Sequence, residues 1–316
     1  MRSIEKLVLL GTLISLGGCG SPGSHPATSP GSNTAPHVAV TTIFTGSSPT
    51  VYSVRPDWTA RDSSVVFSGG PSGNIWKVAA RAASTPVPVT NPDSSSWVYG
   101  GYTPACLADG RSVYYLGWLG SDENMHLMVA AANQVRCLPS PTILHSFNGS
   151  DVGLSPGSAN TPDALSLSGS GDRALALWGR DLYLLDWRSN ALVATRVTVP
   201  GGGPVFDPML SRDGSRLAYA DSAQRVTWIP AAGGAPTVVG QGLYPSFSGD
   251  GHLLGYLNTT GTAYVVFNLT AGTSILYALE SNQIVQYPRL SWDGTRIVFR
   301  TFGGESTGIS IGQLSS

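Results

Sequence analysis

Two segments of this chain have the spacing of a serine-hydrolase elbow, Gly-x-Ser-x-Gly: residues 153–157 around Ser155 and residues 304–308 around Ser306. Such an elbow stabilises its oxyanion with the backbone N–H of the residue after the serine, and after Ser155 that residue is Pro156, which has none. Ser306 falls in a short connection between two expected strands, and the last histidine, His252, lies upstream of it. Catalysis is expected at neither. Beyond His25 and His37, the histidines are His126, His145 and His252, in separate regions. Without a His-x-x-x-His or Cys-x-x-Cys pair there is no zinc spacing. Asp109, Asp213, Asp250 and Asp293 recur in matched contexts and could be imagined as a calcium ring. Each precedes glycine, however, and Asp-Gly forms tight turns, which accounts for all four. Neither lysine follows a phosphate loop. No catalytic residue, metal ligand or cofactor is expected.

The elements that carry these residues repeat. "LSRDGSRLAYA" (Leu210 to Ala220) returns as "FSGDGHLLGYL" (Phe247 to Leu257), "LSWDGTRIVFR" (Leu290 to Arg300) and "CLADGRSVYYL" (Cys106 to Leu116). Weaker copies are "LSGSGDRALAL" (Leu167 to Leu177) and "WTARDSSVVFS" (Trp58 to Ser68), where Asp62 takes the glycine position. From Asp62 through Gly110, Gly171, Gly214, Gly251 and Gly294 the intervals are 48, 61, 43, 37 and 43 residues, the range of propellers and solenoids. In each copy an apolar residue and serine end a strand, Asp-Gly turns the chain, and the next strand alternates with one face buried. Pro56, Pro104, Pro208, Pro245 and Pro288 stand six residues before the marker, where proline starts a strand without losing a ladder bond. A third and usually a fourth strand follow, which makes one propeller blade.

The sixth copy is short: 22 residues follow Gly294, too few for a fourth strand. "HVAVTTIF" (His37 to Phe44) can supply it, since the 24 residues from Val38 to Asp62 bring the total close to one repeat. The expected fold is therefore all-β, a six-bladed β-propeller of four-stranded antiparallel blades over 37–316, closed by an N-terminal strand completing the last blade. In that frame Cys106 and Cys137 lie three strand spacings apart, about 14 Å, beyond the reach of a disulfide of about 7 Å. Buried free thiols are expected.

The recurring Pro-x-apolar-Ser-x-Asp-Gly-x-x-apolar-x-aromatic pattern resembles the repeats of TolB-like β-propeller proteins, from about His37 to the C-terminus. The resemblance implies a six-bladed propeller in the cell envelope that works by binding partners. TolB itself carries an extra N-terminal α/β domain and no lipid; both are departures from this sequence, which is not read as TolB.

The N-terminus is distinct. Arg2 and Lys6 precede an apolar run, Leu7 to Leu16, too short to span a bilayer, and "LGGC" (Leu16 to Cys19) resembles a bacterial lipobox. Residues 1–18 are expected to be a lipoprotein signal peptide. Residues 19–36, a lipidated Cys19 and a Ser/Pro/Gly-rich stretch, are expected to tether the body to a membrane facing the periplasm or cell exterior.

A charged fraction of 12% and a formal net charge of −1 give no field that would draw nucleic acid. Most of the eight tryptophans are expected in blade packing. The least repeat-like loops are residues 117–126 and 146–163, and non-repeat loops on a rigid ring are where function usually sits. Trp118, Asp122, Glu123, Asn148 and Asp151 are the expected binding residues. The functional expectation is a monomeric, lipid-anchored, non-enzymatic envelope scaffold for a protein or peptide. The alternative is an envelope enzyme, a polysaccharide or cell-wall lyase or hydrolase, with its site in the central tunnel. A polar cluster in the tunnel would favour the alternative.

Overall fold

Gly110, Gly171, Gly214, Gly251 and Gly294 all adopt positive φ, between 65° and 74°, so the repeated Asp-Gly is a turn that needs glycine. The computed structural model describes residues 35–46, 55–69, 74–90, 99–118, 125–131, 142–147, 149–153, 162, 164–189, 191–200, 203–280, 284–303 and 306–315. Among them are strands and two short 3-10 turns, and no α-helix.

The first strand, β1 (Val38–Gly46), belongs to the last sheet. The first sheet is β2 (Asp57–Trp58), β3 (Ser64–Gly69), β4 (Asn74–Ala79) and β5 (Val87–Pro88). The second is β6 (Tyr99–Cys106), β7 (Ser112–Trp118), β8 (Met125–Ala131) and β9 (Thr142–Phe147). The third is β10 (Ala164–Leu167), β11 (Arg173–Trp178), β12 (Asp181–Asp186) and β13 (Val193–Val197). A seven-stranded sheet follows, β14 (Val205–Leu210), β15 (Arg216–Asp221), β16 (Arg225–Pro230), β17 (Thr237–Phe247), β18 (Leu253–Asn258), β19 (Ala263–Asn268) and β20 (Thr273–Ala278). The last sheet has the order β1-β23-β22-β21, with β21 (Ile284–Leu290), β22 (Arg296–Gly303) and β23 (Ser306–Leu314). β1 runs antiparallel to β23 from Val38↔Leu314 to Gly46↔Thr307. All neighbouring strands within sheets are antiparallel, as hairpin connections require.

Six separate four-stranded sheets are expected from the repeats; among the described residues there are four, and the remaining strands form one seven-stranded sheet. The cause is β17. It pairs with β16 as far as Gln241 and with β18 from Gly242 onward. The interval from Gly214 to Gly251, 37 residues, is the shortest in the chain and leaves no residues for a loop. At the handover a Cβ on Gly242 would sit 2.1 Å from the Leu257 carbonyl oxygen, so the close crossing requires glycine there.

The burial pattern also differs from the expected alternation of apolar and polar. β11 and β15 are buried on both faces. Large and small side chains alternate instead: Leu175 and Leu177 pack against β14–β16, while Ala174 and Ala176 face the second sheet. Their sheets lie between two others, so neither face of these strands meets water, and the small face lets the neighbour approach.

Pro56 directly precedes β2 as expected, but the other prolines do not start strands, and Pro104 lies within β6. Pro208, Pro245 and Pro288 lie inside β14, β17 and β21, where the pairing register shifts. The residues before them, Asp207, Tyr244 and Tyr287, have φ of 48°, 57° and 50°. Proline removes a ladder donor, and the resulting bulge turns the preceding side chain out of the sheet.

Cys106 is buried and free, and Cys137 lies outside the described residues. Burial, helped by Asp57, pushes the Cys106 thiol up to about 12. A thiolate is the reactive form, so Cys106 should resist an alkylating reagent at pH 8 in the folded protein and react in denaturant. Rapid labelling of Cys106 under native conditions, mapped by peptide mass, would contradict this burial.

Candidate functional site

The central cavity is built by residues flanking the repeated proline and by one turn residue. Arg55, Pro56 and Asp57 from the start of the first sheet line it with Pro104 and Ala105 of β6, Leu165, Ser166 and Leu167 of β10, Met209 of β14, Arg212 and Arg289. The space left between them is about 20 Å³, enough for one water-sized group.

The residue after each proline, or its counterpart, meets the next inner strand. Ser166 Oγ accepts from Leu210 N at 3.0 Å, and Ser246 Oγ accepts from Leu290 N at 2.9 Å. Asp57 Oδ2 accepts a longer bond from Cys106 N, at 3.4 Å. These acceptors satisfy backbone donors that have no strand beside them on the cavity side. Asp57 also accepts from Arg212 Nη2, 2.8 Å to each carboxylate oxygen, and Arg212 Nη1 donates to the Cys106 carbonyl at 2.8 Å. The Arg212 guanidinium lies 4.7 Å from the Trp292 ring centre. One ion pair thus ties together inner strands β2 and β6, the turn after β14 and the turn after β21.

Residues before the prolines form a more exposed layer. Arg55 and Asp207 approach to 3.5 Å with 20% and 13% of their side chains accessible, against 8% each for Arg212 and Asp57. Arg55 stacks 4.9 Å over Tyr287, whose ring meets Tyr244 edge-on at 5.0 Å. Burial raises the Asp207 carboxyl above its ordinary range despite Arg55 and Arg289. Burial, then the charges of Asp207 and Tyr287, pushes Tyr244 up to about 12. Charged and aromatic groups therefore collect around Arg55 beside the cavity, and Asp207, Tyr244 and Tyr287 are held there by bulged, positive-φ backbone, a conformation that costs of order 1–3 kcal/mol at each such residue and clusters at functional sites.

The repeat aspartates are turn formers. Asp213 accepts from Ser211 Oγ and Ser215 N, Asp250 from Ser248 Oγ and His252 N, Asp293 from Ser291 Oγ and Thr295 N, and Asp109 from Arg111 N and Ser112 N. Arginines two residues past the marker reach the next turn: Arg173 donates to the Gly214 carbonyl, Arg216 to that of Gly251, and Arg296 to that of Asp62. Asp62 keeps the glycine's positive φ, 54°, and its carboxylate accepts from Trp292 N and Asp293 N. Among the described residues no group of three or more His, Cys, Asp or Glu is placed to hold a metal ion.

For those four aspartates burial pushes the carboxyl up, but the hydrogen bonds outweigh it and hold each below its usual value. A depressed carboxyl contributes stability present above the unfolded pKa, about 3.9, and lost as pH falls through the folded value. Asp62 and Asp207 are raised and act in the opposite sense. Stability should thus drop below about pH 4, and a triple variant Asp213→Asn, Asp250→Asn, Asp293→Asn should flatten that limb in urea titrations. An unchanged acid limb would remove the assignment.

Of the expected binding residues, Asp122, Glu123 and Asn148 lie outside the described residues, as does the expected lipidation site, Cys19. Trp118 ends β7, and Asp151 sits in the 3-10 turn Gly149–Val152 with its Oδ2 3.1 Å from His145 Nε2 of outer strand β9. Arg55, Asp57, Asp207, Arg212, Tyr244, Tyr287 and Arg289 stand in no motif that marks them in the sequence. Their common signal was position, beside the recurring proline or between the serine and aspartate of the turn.

No protein-family model and no curated protein matches the chain. Among solved structures, the β-propeller domain of Cps50 (Swd1) from Myceliophteria thermophila is similar with a TM-score of 0.51 at 10% identity, over 88% of this chain and all of that one. A chain of a nidogen/laminin complex is similar with a TM-score of 0.48 at 13% identity, over 72% of this chain and 84% of that one. The likeness to the Cps50 domain concerns the fold alone: this chain folds as an all-β propeller.

Proposed function

We propose that this chain is a cell-envelope lipoprotein, anchored through Cys19, whose six-bladed propeller is a non-enzymatic scaffold that binds a protein or peptide at the mouth of its central cavity. The observation that carries the reading is the layer of Arg55, Asp207, Tyr244 and Tyr287, two of them aromatic, all part-exposed and linked to one another and to the cavity through Arg55. Aromatic and arginine side chains at a pocket mouth are typical anchors of protein interfaces. A count of six blades is supported by six core clusters among the described residues, one of them packing β15 and β16 against β18 and β19 within the seven-stranded sheet. β17 then serves as outer strand of one blade and inner strand of the next. The repeats support kinship with TolB-like proteins, and the basic-apolar-lipobox order supports the anchor.

The polar cavity favours a second reading, an enzyme acting on a polysaccharide or cell-wall fragment. Two features weigh against it. Asp57 and Arg212 are committed to each other, and burial holds Tyr244 in its protonated form, unsuited to act as a base. The test is cross-linking in intact cells followed by pull-down of the full chain. One stoichiometric envelope protein, lost from the Tyr244→Ala, Tyr287→Ala double variant, is the expected result. Repeated recovery of none, together with turnover of a glycan by the purified protein, would replace the scaffold with the enzyme.

A further inference from the structure

The charged groups of the cavity do not balance. Three guanidiniums, Arg55, Arg212 and Arg289, face two carboxylates, Asp57 and Asp207. Asp57 is taken by Arg212 at 2.8 Å. Arg55 and Asp207 stand at 3.5 Å, longer than the roughly 2.7–2.9 Å of a charge-assisted hydrogen bond. Arg289 has weaker partners still: its Nη1 donates to the Met209 thioether at 3.0 Å and to the Pro245 carbonyl at 3.4 Å. Among the described residues no carboxylate forms an ion pair with it. A half-buried guanidinium with only neutral acceptors is only partly compensated, and an anion would complete it. Burial lowers the Arg289 pKa from its usual value, and Arg55 and Arg212 add to that, against Asp57 and Asp207.

We infer that the cavity seats one carboxylate of the bound ligand, held between Arg289 and Arg55, with Tyr244 and Tyr287 walling the chain that carries it. The leftover charge is a single positive one, which matches a carboxylate and is exceeded by a phosphate dianion. The open space of about 20 Å³ admits only a water-sized group, so seating a carboxylate needs the flexible Met209 side chain beside it to yield. An arginine fork suits that geometry. The carboxylate belongs either to a peptide C-terminus or to an aspartate or glutamate side chain. This deepens the scaffold reading and rests on it.

Calorimetric titration of the full chain at constant ionic strength tests it with four probes: acetyl-Ala-Ala-Ala bearing a free carboxylate, its C-terminal amide, acetyl-Ala-Asp-Ala amide, and inorganic phosphate. At least one carboxylate peptide should bind tenfold or more tighter than the neutral amide, and the one that does identifies the source. Arg289→Met should lose that tenfold preference. If that variant does not fold, Arg55→Gln at the more exposed layer should show the same loss. Binding of neither carboxylate peptide, equal binding of the neutral amide, tighter binding of phosphate, or an unaffected variant would overturn the site. In-cell capture separates the two readings: a partner held equally by wild type and Arg289→Met removes the carboxylate seat and leaves the scaffold. Carboxylate binding without any captured partner removes the scaffold and leaves the seat.

Discussion

Arg212→Ala is expected to lower the unfolding free energy by about 3–5 kcal/mol, the usual cost of removing one partner of a buried pair. The variant leaves the Asp57 carboxylate buried, with the Cys106 amide still donating to it at 3.4 Å. It also strips the Cys106 carbonyl of its donor and the Trp292 ring of its stacked cation. Because Arg212 bridges the turn after β14 to β2 and β6, the loss should appear as weaker closure of the whole ring. Urea unfolding followed by tryptophan fluorescence reads it directly. The companion variant Asp57→Leu, Arg212→Met removes both charges and should recover most of the loss, since apolar replacement of a buried pair is often neutral or stabilising. Additive losses in the double variant, or a single-variant loss under about 1 kcal/mol, would show that the pair is not a unit.

The turns were the most legible part of the sequence. Asp-Gly fixes a positive-φ glycine and a side-chain acceptor within five residues, so local chemistry alone places Gly214, Gly251 and Gly294. The strand that follows each turn is equally local. Three features were not. The merger at β17 depends on how little chain separates two turns, and on Gly240 and Gly242 tolerating Tyr256 and Leu257 beside them. The large-small alternation of β11 and β15 looks like ordinary strand patterning until the neighbouring sheets are known. The cavity residues come from opposite parts of the chain: Arg55 and Asp207 are adjacent only because the ring brings their inner strands together. A proline at matched positions announces a bulge, but which side chains the bulges collect is a property of the assembled ring.

Removing β1 is expected to cost more than any interior substitution short of the cavity pair. Val38 and Ile43 are 2% and 1% exposed, and burying two such side chains is worth about 3–6 kcal/mol before any ladder bond is considered. Val38 fits over Gly312, where a Cβ would lie 2.3 Å from the valine methyl, so no side chain of β23 can fill the gap left behind. The segment also bonds beyond its sheet: the Pro36 carbonyl accepts from Ala278 N at 2.9 Å and the Ile43 carbonyl from Ser84 N at 3.2 Å. Deleting residues 35–46 would therefore leave the nine-residue β23 with an open edge and unfasten contacts to both neighbouring sheets. Scanning calorimetry should show a midpoint lower by about 6–12 °C or more, at roughly 2 °C per kcal/mol for a body of this size. Light scattering should show association through the new edge. A synthetic peptide of residues 35–46 added in excess should restore both, because it binds only the folded state. A truncated protein that stays monomeric with an unchanged midpoint would mean that β1 lies against a ring already closed without it.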